Sequence, residues 1–379
     1  MPWSEVTIMS QRLEFVTLAS QPDANVRALC RRFDISPTTG YTWLARYQTL
    51  GAAGLHDQSR RPHRSPTQTT GSLEAQVVAL RQAHPAWGGR KIADRLGALG
   101  VTPVPAPSTI TGILRRHGLL DPAAGVHHTP YQRFEQPAPN ALWQMDFKGH
   151  FATDSGRCHP LTVLDDHSRF ALVLQACANE QTPTVQTTLL GAFRRYGLPA
   201  VLLTDNGAPW GDGPGSPYTR LGAWLMRLGI RVAHGRPYHP QTQGKDERFH
   251  RTVQAEVLRF QHFADLAACQ TAFDAWRTVY NLERPHQALG GQTPATRYQV
   301  SARAYPETLP PIEYGPDDQV RKVQQGGDLH LHGRVFHVSK AFAGYPVAIR
   351  PRETDGQYDV YFCHQHIATL ELTTTPPAS

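Results

Sequence analysis

Hydrophobic positions in the first 50 residues recur every three to four residues, which is the spacing of one helical face. The segment "NVRALCRRFDIS" shows this spacing in four residues: Val26, Leu29, Cys30 and Phe33. A second helix is predicted in "SPTTGYTWLARYQTLG", with Ser36 as its N-cap and Pro37 in its first turn. Two short helices joined by a tight turn predict a helix-turn-helix module over residues 1–53, although any small helical bundle has a similar pattern.

The predicted second helix of this module has an inner and an outer face. Its inward-packing residues are expected to be Tyr41, Leu44 and Ala45. Its outward-facing residues, and hence candidate DNA contacts, are expected to be Thr38, Thr39 and Arg46.

Residues 73–120 repeat the helical theme in three segments. Pro85 ends the first, Gly100 ends the second, and Ser108 is the expected N-cap of the third. This pattern predicts a second helix-turn-helix module, in which the candidate DNA contacts are Thr109, Arg115 and Arg116.

Two stretches interrupt the periodicity and are interpreted as linkers, at 54–72 and at 121–139. The first is basic, and three of its arginines could lie along phosphates: Arg60, Arg61 and Arg64. A solvated charged linker explains the same composition, and the sequence alone does not separate the two interpretations.

From residue 140 the pattern changes to alternation, which is typical of strands. In "ALWQMDFKGHF" one face carries Trp143, Met145 and Phe147, and the other face carries Asp146. Further strands and then alternating helices and strands follow, which predicts an α/β domain over 140–302 whose mixed sheet is flanked by helices. Short alternating strands with "HG" and "DG" turns over 317–373 predict a small C-terminal β-barrel.

Composition narrows the class of partner. The 379 residues include 38 Lys and Arg against 31 Asp and Glu, for a formal net charge of +7. This balance fits a nucleic-acid partner, although a merely basic protein would show it too. The five cysteines are scattered without a C-x-x-C pair, and neither a signal peptide nor a membrane-length apolar run is seen. A cytoplasmic, DNA-associated protein is expected.

Several acids in the α/β region stand where active sites form. Asp146 lies within a predicted strand, Asp205 ends another, and Asp246 and Glu247 lie in the first turns of a long helix. Clustered carboxylates repel one another unless they share cations, and a pair of Mg²⁺ ions would supply both charge and phosphodiester chemistry. Alternatively, each acid serves a turn or a helix start, which is the favoured role for the pair in "VLDDHSR", Asp165 and Asp166.

The motifs "WQMDFKG", "VLDDHSR", "LTDNG", "HPQTQGKDERFHR" and "YNLERPHQALGGQTPATRY" occur in this order. Together they resemble the integrase-like DDE transposases of bacterial insertion sequences, which are relatives of retroviral integrases. The resemblance implies an RNase H-like core with a mixed five-stranded sheet and two bound Mg²⁺ or Mn²⁺ ions. It also implies DNA partners, namely the terminal inverted repeats and a target duplex, and a homodimer or tetramer on DNA.

The same resemblance assigns roles to individual residues. It implies that the catalytic, metal-binding residues are Asp146, Asp205 and Glu247. Phosphate contacts are expected around the glutamate from Lys245, Arg248 and Arg251, and the residues expected to shape the site are Asn206 and His239.

This chain departs from the family pattern at Asp246, because the residue before the glutamate is usually apolar. Asp246 falls within an apolar stripe of the helix, which also contains Phe249, Val253, Val257 and Phe260. Glu247 lies about 100° away, so the expected metal ligand is Glu247, with Asp246 aligned with the core.

The expected reaction is DNA cleavage followed by strand transfer, without a covalent enzyme intermediate. Two alternatives remain open at this point. One is a DNA-binding remnant with a decayed core, and the other is a metal-dependent nuclease that does not join strands.

Overall fold

The computed structural model describes residues 7–59, 69–120, 135–211, 217–234 and 244–372. It divides into two compact units, Met1–Thr69 and Thr70–Ser379. No helix in these five described ranges is long and apolar enough to cross a membrane.

The first unit contains three helices, α1 (Ile8–Ala19), α2 (Val26–Arg32) and α3 (Pro37–Leu50). As predicted, Ser36 caps α3 by accepting a hydrogen bond from the backbone N–H of Thr39, and Pro37 occupies the first turn. The short α2–α3 connection and the buried core beneath both helices form the helix-turn-helix.

The predicted inner face of α3 is partly wrong. Tyr41 is 50% exposed and Ala45 is also exposed, whereas Leu44 packs against the core. Gly40 sets this orientation, because a Cβ there would lie 2.3 Å from Cys30 Sγ. The helix therefore turns its smallest residue toward α2, and Tyr41 faces solvent.

Three more helices begin the second unit: α4 (Gly71–Ala83), α5 (Gly89–Ala98) and α6 (Pro107–Arg116). They enclose a core around Trp87, Ile92 and Ile113. Gly100 follows α5 at a φ of +81°, as expected for a glycine at a helix end. Ser108 is not the N-cap of α6: the cap position is Ala106, which has no side-chain hydrogen bond, and Pro107 begins the helix.

A mixed sheet forms the centre of the second unit. Its strands are β1 (Leu142–Phe147), β2 (Phe151–Thr153), β3 (Gly156–Asp165), β4 (Ala171–Cys177), β5 (Val201–Thr204) and β6 (Arg231–His234). Strand β3 pairs antiparallel with β1, β2 and β4, whereas β5 pairs parallel with both β1 and β6. The α/β core with a mixed sheet is therefore confirmed, although the described sheet has six strands rather than the expected five because the short β2 also pairs with β3.

Helices cover both faces of this sheet. On one face α7 (Thr182–Tyr196) and α8 (Arg220–Arg227) pack over Trp143 and Met145. On the other face α9 (Gly244–Val253) and α10 (Leu266–Leu282) pack over Leu164 and Leu174. The face of β1 that carries Asp146 thus lies beneath α9, because successive side chains of a strand point to opposite faces.

The C-terminal strands do not form the predicted barrel. Strands β7 (Gln319–Lys322), β10 (Pro346–Pro351), β11 (Gln357–Phe362) and β12 (Gln365–Glu371) make an open antiparallel sheet in the order β12-β11-β10-β7. Strands β8 (Asp328–Leu331) and β9 (Arg334–His337) form a separate hairpin. Its "HG" turn is confirmed, with positive φ at both His332 and Gly333.

Candidate active site

Strand pairing brings two of the predicted acids together. In the parallel β1–β5 pair, Leu142 lies opposite Val201 and Gln144 lies opposite Leu203. Extending this register by two residues sets Asp146 across from Asp205, where β5 has just ended. Both carboxylates therefore lie at the carboxyl end of the central parallel strands, which is where open α/β sheets place their sites.

The electrostatics of Asp146 are those of an acid without enough compensating positive charge. Burial raises its pKa to about 7, and the neighbouring carboxylates of Asp205, Glu180 and Glu247 add to the shift. The backbone N–H of Phe147 donates to the Asp146 carboxylate and opposes the shift. Glu247 thus lies close enough for its charge to act on Asp146.

Asp205 occupies the turn after β5. Its Oδ1 accepts a hydrogen bond from the backbone N–H of Gly207 at 3.2 Å, and its backbone oxygen lies 2.9 Å from His234 Nδ1. Burial raises the pKa of Asp205, Gly207 and His234 lower it, and the charge of Glu180 raises it further. The side chain is half-buried, so it remains accessible from solvent.

The two adjacent acids of α9 point in different directions. Asp246 is fully buried, and Glu247 is exposed. The predicted apolar stripe is confirmed for Phe249, Val253 and Val257 but is wrong for Phe260, which is 53% exposed. The α-helix ends at Val253, and a π-helical turn, Gln254–Leu258, changes the phase before Phe260 is reached.

The buried face of α9 also meets the acid cluster. Ligand atoms of Asp146, Asp246 and His250 all lie within 4.8 Å of one another. Burial and the charge of Asp146 raise the pKa of Asp246 well above its usual range. Asp246 is aligned with the core, as expected. It was also expected to lie away from the site, and this is wrong, because its carboxylate lies close to that of Asp146.

Thr162 of β3 connects these groups. Its hydroxyl lies 2.9 Å from the backbone oxygen of Asp146, 3.3 Å from Asp246 Oδ1 and 2.8 Å from His250 Nε2. Burial lowers the pKa of His250 to about 4, with a smaller contribution from the charge of Lys148, so the imidazole is neutral at neutral pH.

The other acid pair, in the turn after β3, has the structural role that the sequence favoured. Asp165 accepts hydrogen bonds from the backbone N–H of Asn140 and from both the N–H and the hydroxyl of Ser168. Asp166 accepts from the backbone N–H of Gln136 and the side-chain amide of Gln144, and it pairs with Lys245 Nζ at 2.5 Å. Donors from four segments therefore hold this turn in place.

The predicted basic contacts near the glutamate lie in two different environments. Arg248 and Arg251 are exposed on the outer face of α9. Lys245 is 17% exposed and its ammonium group contacts Asp166, so in this conformation it braces the turn after β3. Its contact with DNA phosphates stays a prediction.

The predicted contacts on the helix-turn-helix modules lie largely at the surface. Those that are exposed are Thr38, Thr39, Thr109, Arg115 and Arg116. Arg46 is half-buried, with its guanidinium 5.0 Å from the ring of Trp43. Arg116 also pairs with Glu74 at 2.9 Å.

The remaining predicted residues divide between a turn and segments that the structure does not describe. Asn206 is exposed directly after Asp205. The positions outside the described residues are Arg60, Arg61, Arg64 and His239.

Sequence reasoning missed two residues near the acids, Glu180 and His250. Glu180 lies before α7, where its carboxylate oxygen lies 2.8 Å from His159 Nδ1, and its charge raises the pKa of both Asp146 and Asp205. No sequence motif marks Glu180. His250 had a signal, because it stands four residues after Asp246 and therefore on the same helical face.

The donor set of this site fits divalent cations. Asp246 Oδ2 is buried without a hydrogen-bond partner among the described residues. Asp146 is also surrounded by carboxylates that raise its pKa. Carboxylate oxygens that lack positive partners are suitable ligands for hard divalent ions.

Five segments of the chain match known protein families. The integrase core domain family matches residues 136–240, and a second integrase core family matches 228–294. The IS481 family transposase C-terminal domain matches 318–377. A helix-turn-helix domain and a homeodomain-like domain match 11–63 and 39–114. Together these matches support a DDE transposase of an insertion sequence.

Two curated proteins and one solved structure are similar to parts of this chain. The chain is 27% identical over 266 residues to the insertion element IS476 uncharacterized 39.2 kDa protein of Xanthomonas euvesicatoria, covering 67% of this chain and 72% of the relative. It is 28% identical over 170 residues to the insertion element IS407 uncharacterized 31.7 kDa protein of Burkholderia multivorans, covering 44% and 59%. The HTLV-2 integrase catalytic core domain in complex with magnesium aligns with 43% of the transposase and 99% of that chain, at 16% identity and a TM-score of 0.34.

The helix that carries Glu247 is fixed at its far end. Glu256, in the π-helical turn, lies 2.9 Å from Arg284 Nε and 3.3 Å from Lys91 Nζ of α5, and it accepts from the indole of Trp276. Although burial alone would raise the pKa of Glu256, Arg284 and Lys91 hold it below its ordinary value. The second helix-turn-helix module is thus tied, through Lys91, to the turn that follows α9.

Proposed function

We propose that the transposase cleaves the ends of an insertion sequence and joins them to target DNA. In the first step a water oxygen attacks the phosphorus at the element end, and the 3′-oxygen leaves and takes up a proton. In the second step that 3′-OH attacks a target phosphodiester, so that a new P–O bond forms as the target's own P–O3′ bond breaks. Neither step needs a bond between DNA and protein.

Asp146, Asp205 and Glu247 hold the two divalent ions, Mg²⁺ or Mn²⁺, in this proposal. Bound there, such ions supply Lewis-acid stabilisation of the attacking and leaving oxygens. Two observations support this assignment: the parallel register of β1 and β5 sets the two aspartates across from each other, and the exposed Glu247 is near enough for its charge to raise the pKa of Asp146. Arg248 and Arg251, on the same exposed helix, contact the DNA phosphates.

One observation carries the proposal. Parallel pairing of β1 and β5 sets Asp146 across from Asp205 at the carboxyl ends of the two strands, and the charges of Asp205, Glu180 and Glu247 add to burial in raising the pKa of Asp146 to about 7. Neighbouring negative charges disfavour the ionised form of an acid that has only a structural role, whereas a bound divalent cation offsets the repulsion between the carboxylates.

Recognition of the terminal inverted repeats is assigned to the two helix-turn-helix modules. The exposed hydroxyls of Thr38 and Thr39 lie at the start of α3, which is the end of a recognition helix that meets base edges. Thr109 occupies the corresponding place at the start of α6. The C-terminal sheet adds a further DNA contact, and a dimer or tetramer brings the two element ends together.

The test uses the full chain, a labelled duplex ending in the element's terminal repeat, and a supercoiled target plasmid. With Mg²⁺ or Mn²⁺ we expect nicked ends and plasmid-joined products, and Glu247→Gln should abolish both. Nicks without joined products would show a nuclease, and binding of the labelled end without either product would show a decayed core. Persistence of joining in Glu247→Gln would overturn the assignment of Glu247.

A further inference from the structure

We propose that Asp146, Asp246 and His250 form a second cation site, beneath the catalytic carboxylates, for a first-row transition metal ion. The site shares Asp146 with the proposed catalytic set and to that extent rests on the proposed function. Its other two ligands come from the buried face of α9 and lie outside that set.

The geometry brings one carboxylate oxygen from each aspartate and one imidazole nitrogen within 4.8 Å of one another. Asp246 Oδ1 and His250 Nε2 are 3.9 Å apart, one helical turn from each other along α9. Ligand atoms about 2.1 Å from a shared ion stand roughly 3–4 Å apart, so small side-chain movements complete the site.

A count of protons shows that the cluster lacks donors. The Thr162 hydroxyl has one proton, but two acceptors lie within its reach, the backbone oxygen of Asp146 and Asp246 Oδ1, and His250 Nε2 lies 2.8 Å from the same hydroxyl. Asp246 Oδ2 has no partner among the described residues although the side chain is fully buried. Buried acceptors without donors are costly, and either an added proton or a bound cation removes that cost.

The chemical types of the three ligands favour some divalent ions over others. Two carboxylates and one neutral imidazole suit Mn²⁺, Co²⁺ and Zn²⁺ better than Mg²⁺, which prefers oxygen ligands and retains its waters. The imidazole is placed to act as a ligand because its Nε2 lies 3.9 Å from Asp246 Oδ1 and belongs to the same cluster as the Asp146 carboxylate. Affinity should therefore rise from Mg²⁺ through Mn²⁺ to Co²⁺, and the His250 nitrogen should account for most of that rise.

The experiment titrates Co²⁺ into metal-free full-length protein and follows the visible d–d absorption, with calorimetric titration of Mg²⁺ in parallel. Two variants form a matched pair: Asp205→Asn damages only the catalytic set, and His250→Gln damages only the buried site. We expect Asp205→Asn to retain a Co²⁺ site at least tenfold tighter than its Mg²⁺ binding. His250→Gln should lose this preference, with a Co²⁺ affinity at least tenfold weaker.

Asp246→Val is a second variant that removes a ligand of the buried site, because valine fills the apolar surroundings without offering a ligand atom. Near-ultraviolet circular dichroism verifies that this variant folds. It should lose the tight Co²⁺ site as His250→Gln does. Unchanged Co²⁺ affinity in a folded His250→Gln or Asp246→Val would overturn the buried site and leave a protonated Asp246 as the source of the missing donor. That result differs from failure of the proposed function, which would appear as strand transfer surviving in Asp205→Asn.

Discussion

Two groups of acids lie on either side of Gln144 in the same sheet, and they differ in how their oxygens are satisfied. Around Asp165 and Asp166, backbone N–H groups, a hydroxyl, an amide and an ammonium supply donors to the carboxylates. Around Asp146 and Asp246, donors are scarce and one buried oxygen has no partner among the described residues. Burial alone does not separate a structural acid from a functional one; the supply of donors does.

The first and largest effect expected from this difference concerns activity at the donor-poor group. Asp146→Asn should lower strand transfer about 10³-fold, or about 4 kcal/mol, because it removes a charge that cations require. The chain should still fold. Strand transfer is measured with the labelled-end assay, and the control is Asp154→Asn, whose side chain is 64% exposed. An equal loss of strand transfer in Asp146→Asn and Asp154→Asn would contradict the assignment of Asp146 as a metal ligand.

The second prediction concerns stability at the donor-rich turn. Asp166→Ala should lower the free energy of unfolding by about 3–5 kcal/mol, because it removes the buried carboxylate that pairs with the Lys245 ammonium and accepts from the Gln144 amide. Urea denaturation measures the loss. The matched control is Asp274→Ala, an exposed i,i+3 partner of Arg277, for which a change within about 0.5 kcal/mol is expected. A loss at Asp166 no larger than that of the control would remove the contrast between the two groups.

The third prediction concerns pH. The folded pKa of Asp146 is about 7, above its ordinary value of 3.8, so between these values the folded chain holds a proton that the unfolded chain has lost. Its contribution to the free energy of unfolding of the metal-free protein therefore falls as pH rises from about 4 to about 7. Denaturation of wild type and Asp146→Asn across this range isolates the contribution. Parallel pH profiles would contradict the raised pKa.

The smallest expected effect is at Asp246. Asp246→Val should leave stability unchanged or raise it by about 1 kcal/mol, because a well-packed apolar side chain replaces a buried carboxyl group with an unpaired oxygen. Thermal or urea denaturation in the absence of metal measures this change. A loss above about 1 kcal/mol would mean that Asp246 has a donor in the folded protein and belongs with the turn acids.

Local patterns predicted much of the fold and part of the site. Helical spacing and Ser36 predicted the first helix-turn-helix, and strand alternation predicted the covered sheet. Asp146 and Asp205 could be paired in advance because both were expected at central strands, and parallel pairing sets their relative register.

The predictions that were wrong depended on contacts between residues that are distant in the chain. The helical phase of Asp246 was predicted, but its surroundings depend on Thr162 of β3, which no periodicity along α9 can reveal. The face of α3 depended on the close approach of Gly40 to Cys30. The expected barrel required a closing strand pair, which is a property of sheet edges rather than of any one strand, and the described strands leave the sheet open.

The π-helical turn has a consequence for how this chain tolerates insertions and deletions. Its wide turn, closed by a hydrogen bond from Arg259 N–H to the Gln254 oxygen, contains one residue more than an α-helical turn would. Glu256 is held from outside by Lys91 and Arg284, so the chain before it must adapt to any change in length. Loss of one residue can be taken up within the turn itself, which would return to α-helical length and leave the start of α9 in phase. The turn therefore lets the anchored end of the helix change length by one residue while Asp246 keeps facing the sheet and Glu247 keeps facing solvent.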